Sequence, residues 1–525
     1  MPHHLTIRIY ITFNNKEMQM KSFREVFYPV SRYIYAFKAI LSGLIIAHIL
    51  SVWNVYLSNM ELYHSLKALA KAGYLIVPNM QVMETLTSFR AAFFGGFFFT
   101  LTVGAALCLL SFASAWVWDR ILCRNPHFFI PFLAFWMWCV ISVNSEGLSR
   151  INTIYFLLIP AVVFGLGVMR IPKPSENTRL KLVIHIICFG ALATMGYSQI
   201  SNTNIFIKIR DNLLLSNPVG MKINTFYYDY TLYAARVFKA KKQRLIRTCS
   251  LALIDDEALL RRMEKILTEY DYLPVERGNP TDLDIVRRGD ILDFKVRFWT
   301  LLQRPIHEFL RYPGDVLKKF SGASDKHAFF RSFTSFSILV VLSITLYFGI
   351  YGMFRTLAGL FLEPAQAISA GGLLCLLTGM FFLVPHYFEG EKKYLGMEEL
   401  AGRLASDDSD LRISAIRDIR ERELDISRFP AYHRSITSPC VAERYWLART
   451  FSLSRSPDTY QALLRLLDDP NFNVVYSAFH ALGERREKKA MGEILRRIKV
   501  SDNWYVQWYA YKALRKLGWK QTKSE

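Results

Sequence analysis

Two histidines stand inside apolar runs, and their chemistry would matter if the fold brought them together. His48 falls near the middle of a run at about 34–57, and His185 lies a few residues into another at 181–199. Neutral imidazoles from two helices could ligate a haem iron or relay protons. The surroundings argue for less: there is no second matched pair and no CxxCH, and a histidine hydrogen-bonded inside a helical bundle has the same appearance. His48 and His185 therefore stand as candidate cofactor residues, with haem as what they would bind. No cofactor is otherwise expected.

A second group combines rings and cations. Phe226, Tyr227, Tyr228, Tyr230, Tyr233 and Phe238 are followed by Lys239, Lys241, Lys242, Arg244 and Arg247. At a bilayer surface the rings would sit at head-group depth and the cations on phosphates. On that reading Tyr227, Tyr228, Tyr230, Lys241, Lys242 and Arg244 are candidate membrane-interface residues; the alternative is a small domain whose tyrosines fill its core. A third group, Trp504, Tyr505, Trp508 and Tyr509, is a candidate partner-binding surface, because Trp and Tyr dominate interface hot spots. It too has an alternative, packing against the rest of the chain.

Other chemistry is thin. Asp282, Asp284, Asp290 and Asp293 lie close together, but their spacing matches no calcium loop, and turn carboxylates explain them. Seven cysteines are scattered without a CxxC, so neither a zinc site nor a disulfide framework is expected. Without a nucleophile motif, a nucleotide loop or a carboxylate inside an apolar run, no catalytic residue is assigned, and an enzyme is the less expected class.

The elements that position these groups follow from composition. Of 525 residues 52% are hydrophobic and 21% charged, too apolar for an ordinary soluble protein and too charged for a purely intramembrane one. The net charge of +21 divides as +9 over residues 1–199, +7 over 200–332 and +5 over 389–525. Without a single basic stripe, a nucleic-acid partner is not expected, whereas anionic lipid surfaces suit this distribution.

Five apolar runs at about 34–57, 91–118, 127–143, 151–169 and 181–199 approach the ~20 residues that a spanning helix needs. Two more, 333–354 and 367–388, form a hairpin, giving about seven transmembrane helices. The hairpin returns the chain to the face it left, so the parts on either side of it share that face. Gly96, Thr100, Gly104 and Cys108 make a small-residue strip for internal helix packing. Eleven lysines and arginines flank the first five runs on the N-terminal side and four on the other. The positive-inside rule then places the N-terminus in the cytoplasm, with the insert at 200–332 and the tail at 389–525 on the opposite side of an inner membrane. The charges flanking the hairpin, taken alone, point the other way.

Residues 1–33 read as a tail with a short β-hairpin, since Leu5, Ile7, Ile9, Ile11 and Phe13 alternate with polar residues before Asn14-Asn15. Residues 200–332 read as a small α+β insert. Asp255 or Asp256 caps a helix to about Tyr270. A turn at Arg287-Arg288-Gly289-Asp290 separates Leu283–Val286 from a strand in which Leu292, Phe294, Val296 and Phe298 alternate with charges.

The tail, 389–525, repeats itself. Asp469, Val474, Ala478, Ala481 and Leu482 recur as Asp502, Val506, Ala510, Ala513 and Leu514; Val441, Tyr445 and Ala448 stand a period earlier, and Leu411 and Ala415 another. In period, helix starts and small stacking residues, this stretch of about 395–518 resembles HEAT repeats. The resemblance implies an α-solenoid that binds a protein partner, and it carries no catalytic residue over. The sequence thus leads to a mainly α chain: a polytopic helical membrane bundle with an α+β insert and a HEAT-like tail. The expected function is an integral membrane scaffold or assembly protein. The alternative is a membrane enzyme or transporter component acting on a lipid-linked or small hydrophobic substrate.

Overall fold

The computed structural model describes residues 23–144, 149–171, 178–200, 214–215, 217–325, 327–383 and 395–523. The N-terminal alternation at 5–13 lies outside them. The chain is mainly helical with one small sheet. Among the described residues five helices are long and apolar enough to cross a membrane, and two shorter ones, Phe129–Val143 and Leu180–Met195, are also apolar.

Helix α1 (Phe23–Lys71) is far longer than its apolar run. At ~1.5 Å per residue its 49 residues reach ~73 Å, more than twice the ~30 Å of a hydrocarbon core, so it projects well beyond the bundle. A short helix α2 (Met80–Leu86), capped by Asn79, leads into α3 (Phe89–Arg120), which continues through a π-type stretch at Thr100–Gly104. Gly104 explains the close crossing of α1 and α3: a Cβ there would come within 2.7 Å of both Ala47 Cβ and the Tyr155 hydroxyl. Gly96 sits as tightly on the Val52 backbone, and Cys108 is buried. The small-residue strip faces α1 inside the bundle.

The remaining bundle helices alternate in direction. In α4 (Phe129–Val143), Phe129 packs on Trp118 and Phe164 at one end, while Asn144, just past the other, bonds to Thr153 at 2.8 Å. Helix α5 (Arg150–Arg170) runs parallel to α3, with Tyr155 donating to the Phe99 carbonyl at 3.2 Å and Gly167 against Ala115. Helix α6 (Thr178–Ile200) packs on the hairpin pair, α12 (Ala328–Ala358) and α13 (Pro364–Leu383). The connector of that pair is shorter than the sequence implied, because Pro364 starts the second helix early. Ser337, in a π-type stretch of α12, donates to the Thr102 carbonyl in the corresponding stretch of α3.

The insert begins with α7 (Pro218–Tyr230), with Asn217 capping Gly220 at 2.7 Å, and α8 (Leu232–Val237). Its sheet has the order β2-β1-β3-β4-β5, from β1 (Arg247–Leu253), β2 (Tyr272–Pro274), β3 (Leu283–Arg288), β4 (Ile291–Val296) and β5 (Trp299–Pro305). The first three strands are parallel and the last two antiparallel. Helix α9 (Glu257–Glu269) is capped by Asp256, which accepts from Ala258 and Leu259. With α10 (Ile306–Arg311) and α11 (Pro313–Ala323) it closes a core around Met263, Phe294, Phe309 and Phe320. Strand β5 escapes the sequence reading because Trp299–Pro305 lacks clean alternation, and β1 escapes it because Arg247 reads as the end of the basic run, although Cys249, Leu251 and Leu253 alternate with Thr248 and Ser250.

The tail stacks helix pairs: α14 (Met397–Ala405) with α15 (Ser409–Glu421), α16 (His433–Ile436) with α17 (Val441–Thr450), α18 (Pro457–Leu466) with α19 (Phe472–Arg485), and α20 (Met491–Val500) with α21 (Trp504–Lys516). The second helices pack in a row, and arginines at the starts of α15 and α17 tie each of these to the repeat that follows. Arg412 makes two 2.7 Å bonds to the buried Glu443 carboxylate and caps the carbonyls of Ser406 and Asp407; Arg444 reaches Asp469 at 2.5 and 3.1 Å. Burial alone would raise the Glu443 carboxyl, but donors from Arg412, Ser435 and Ser438 outweigh it and hold it below the usual range. Gly483 admits α21 closely, since a Cβ there would stand 2.9 Å from Ala513 Cα.

Candidate functional site

The chemistry of this chain concentrates where the last repeat meets the bundle and the insert. Asn503 caps α21, accepting from the Tyr505 and Val506 amides, and so sets the start of the helix that carries the aromatic residues. On one side Tyr505 stacks on Tyr228 of α7, ring centroids 4.1 Å apart, and the Trp504 indole donates to the Tyr228 carbonyl. On a second side the buried Gln507 accepts from the Asn79 amide at 2.9 Å. Gln521 both donates to the Leu75 carbonyl at 2.8 Å and accepts from the Leu75 amide at 3.2 Å. On the third, Tyr511 donates to Asp271 at 2.7 Å, Arg515 holds the Glu269 carbonyl and Asp271, and Lys520 pairs with Glu269.

Lys239 joins the same junction, its ammonium 3.2 Å from the centre of the Trp508 ring. Burial, reinforced by the like charges of Lys512 and Arg236, pushes that ammonium down to about 7. Burial likewise raises Asp271, though Tyr511 and Arg515 pull the other way. These contacts make one apolar core of the end of α1, α2, part of the insert and the whole array.

The candidate residues are distributed as follows. Trp504, Tyr505 and Trp508 are buried at this intramolecular junction, whereas Tyr509 is half-buried on the array itself, stacked on Tyr476 with ring centroids 4.5 Å apart. Tyr228 stacks on the array, whereas Tyr227 packs on Phe98 and Tyr230 on Phe94, both near the start of α3. Helix α7 is therefore a bridge between bundle and array. Lys241 is buried and donates to the Asp282 carbonyl at 2.7 Å, and Arg244 pairs with the Asp282 carboxylate at 3.4 Å; only Lys242 of the three is exposed. The Asp282 carboxylate that the sequence left as a surface turn is the anchor of this basic run.

The two histidines are not brought together. His48 shares a hydrogen bond with the Thr100 hydroxyl at 3.1 Å and stacks on Phe97; His185 shares one with the Tyr347 hydroxyl at 3.0 Å and lies against Tyr351. They belong to separate helix clusters. Near His48, α1 continues the polar track with Ser51 on the Tyr155 hydroxyl and Asn54 on Asn152, at 3.3 Å each. Among the described residues no three His, Cys, Asp or Glu side chains are grouped to hold a metal.

The sequence reading missed Asn79, Asp271, Gln507 and Gln521. A signal was present for Gln507, a lone amide amid Trp504, Tyr505, Trp508 and Tyr509. A buried polar group needs a partner, and its partner lies over four hundred residues away.

The family model for HEAT repeats matches residues 431–515. HEAT repeats are in general protein-interaction modules, and the array's stacked pairs have that architecture. The matched stretch covers α16–α21 up to Arg515, so the docked helix α21 is itself a HEAT helix. No curated protein and no solved structure matches the chain.

Proposed function

We propose that this protein is an integral membrane scaffold whose HEAT array is held beside the bilayer to bind a protein partner. The observation that carries the reading is the junction: the last repeat is clamped to elements contiguous with apolar helices, while the row of second helices continues away from it. On that row Trp446 is half-buried between Arg417 and Arg449, whose guanidiniums each lie 5.0 Å from its ring. Arg and Trp together suit an acidic segment, and both are favoured at interface hot spots.

Seven crossings are proposed, supported by parity. The projecting end of α1, helix α7 and the array touch one another, so an even number of crossings must separate α1 from α7. Because α3 and α5 run parallel, α4 must return the chain between them if both cross, and even parity then makes α6 the fourth crossing. The alternating directions of α4 and α6 and the exposed Ile130, Leu133, Trp138 and Ile141 on α4 favour four. The charge balance around the first five helices favours a cytoplasmic N-terminus, with the insert and array on the opposite face of an inner membrane.

A photo-crosslinking amino acid at position 446 of the full-length protein, activated in intact membranes, tests the scaffold reading. One discrete protein adduct is expected; adducts with lipid alone, or none, would overturn it. The polar track of His48, Ser51 and Asn54 favours a second reading, a transport or enzymatic role within the bundle. Hydroxyl and amide partners within the bundle give that track a packing role as well. Leu replacement of His48 that abolishes a cellular phenotype while leaving protein level unchanged would favour the second reading.

A further inference from the structure

The surface of α1 records where a bilayer would end. Ile49, Trp53 and Leu57 are exposed at four-residue spacing on one face, and the next position on that stripe is Glu61. A lipid-facing stripe that turns charged marks the head-group boundary between Leu57 and Glu61.

The insert lies along α1 past this boundary. Lys71 pairs with Glu276 at 3.1 Å, and Glu61 pairs with Arg297 at 3.6 Å. The two α1 residues are ~15 Å apart along the helix axis, so the pairs fix the insert's direction. Glu276 is at its distal end, and the β4–β5 hairpin tip is at the membrane end.

That tip is apolar and bare. Phe298 is 93% exposed and Trp299 75%, and Leu301 is exposed on the same strand. Arg297 takes a left-handed conformation at φ 55° to make the turn, a backbone state that non-glycine residues rarely adopt. Hairpin edges facing water normally carry charge instead. Trp at head-group depth beside Arg is the composition of a bilayer interface.

We propose that Phe298 and Trp299 insert into the interfacial layer of the bilayer beside Leu57, with Arg297 at phosphate depth. The occupant of this apolar tip is lipid, because the tip continues the lipid-facing stripe of α1. This rests on the membrane reading above and adds a second, extrinsic membrane contact made by the insert. It would hold the insert and the attached array at a set height over the membrane.

The experiment uses the full-length protein, with Cys123→Ser and Cys440→Ala, in vesicles of phosphatidylcholine and phosphatidylglycerol. Nitroxides are placed singly through Trp299→Cys, Trp53→Cys and Arg277→Cys, and collision rates with dissolved oxygen and a water-soluble nickel chelate are compared. Position 299 is expected to favour oxygen, as position 53 does, while position 277 favours nickel. A nickel-favouring label at 299 with an oxygen-favouring label at 53 would overturn the proposal and leave the membrane reading standing. Shielding of 299 from both reagents would overturn it in favour of a protein contact. A nickel-favouring label at 53 would remove the membrane reading and the proposal together.

Discussion

Tyr228 and Tyr505, 277 positions apart in the chain, stack with ring centroids 4.1 Å apart and an interplanar angle of 28°. One belongs to a helix whose other rings touch α3, and the other to the terminal repeat. The pair is thus one direct link between the apolar bundle and the HEAT array, beside those of Asn79 with Gln507 and Leu75 with Gln521. Their combined strength decides whether the array is a fixed platform or a tethered arm.

Replacing Tyr505 by Ala should cost about 3–5 kcal/mol of docking stability, the usual range for a buried aromatic. In a double-mutant cycle with Tyr228→Ala, a coupling of about 0.5–1.5 kcal/mol is expected from the ring pair itself. Hydrogen exchange of α21 in the detergent-solubilised protein is the measurement. Unchanged protection in both single variants would deny that the stack holds the array.

Gln521 should matter out of proportion to its place near the C-terminus. Its amide satisfies both backbone groups of Leu75 and also donates to Tyr511 at 3.2 Å. Gln521→Leu leaves those buried groups without their partner, at about 1–3 kcal/mol each. Faster proteolysis between residues 72 and 80 is expected, and Gln521→Glu should show it too, because the carboxylate cannot donate to Leu75.

Within the array, Glu443→Gln should strand the Arg412 guanidinium in a buried site and cost about 3–5 kcal/mol. The Glu443 carboxyl is held below its unfolded value of about 4.3, so its contribution is complete above that value and is lost as pH falls through the folded one. Urea melts of wild type and variant should therefore differ at pH 7, and the difference should begin to shrink only as the pH falls below the unfolded value of about 4.3. A constant difference across that range would count against the ion pair.

Topology can be read from two native thiols. Cys123 is exposed on the α3–α4 loop and Cys440 is half-exposed in the array, while Cys249 is fully buried in β1 and is no reporter. An impermeant maleimide applied to intact cells should label Cys440 and spare Cys123. The reverse pattern would invert the proposed orientation, and labelling both on intact cells would break the proposed parity.

Much of the architecture was legible in local pattern. Repeated Asp, Val and Ala spacing marked the helix pairs that form the array, and Asp256 marked the start of α9, because caps and stacking faces are written within a few residues. The rings of Tyr227, Tyr228 and Tyr230 were legible as a cluster but not as a bridge. Their three neighbours, Phe98, Tyr505 and Phe94, lie on two different elements, which no local period encodes. Likewise Lys241 and Arg244 looked like surface cations until the fold supplied Asp282 to bury them.

The sequence by itself determined that this chain has long apolar helices, a polar α+β insert and a stacked helical tail, since hydropathy and helical period depend on near neighbours alone. It also leads to the expectation that the insert and tail share a face, given two apolar helices in succession between them. Only the tertiary structure decided what the aromatic end of the tail is for. Burying Trp504, Tyr505 and Trp508 removes more apolar surface from water than a terminal repeat could by itself. Tyr228 and Lys239 cover them, while residues 75–79 and 269–271 hold Gln507, Gln521, Tyr511 and Arg515 around the same helix, gathered from across the chain.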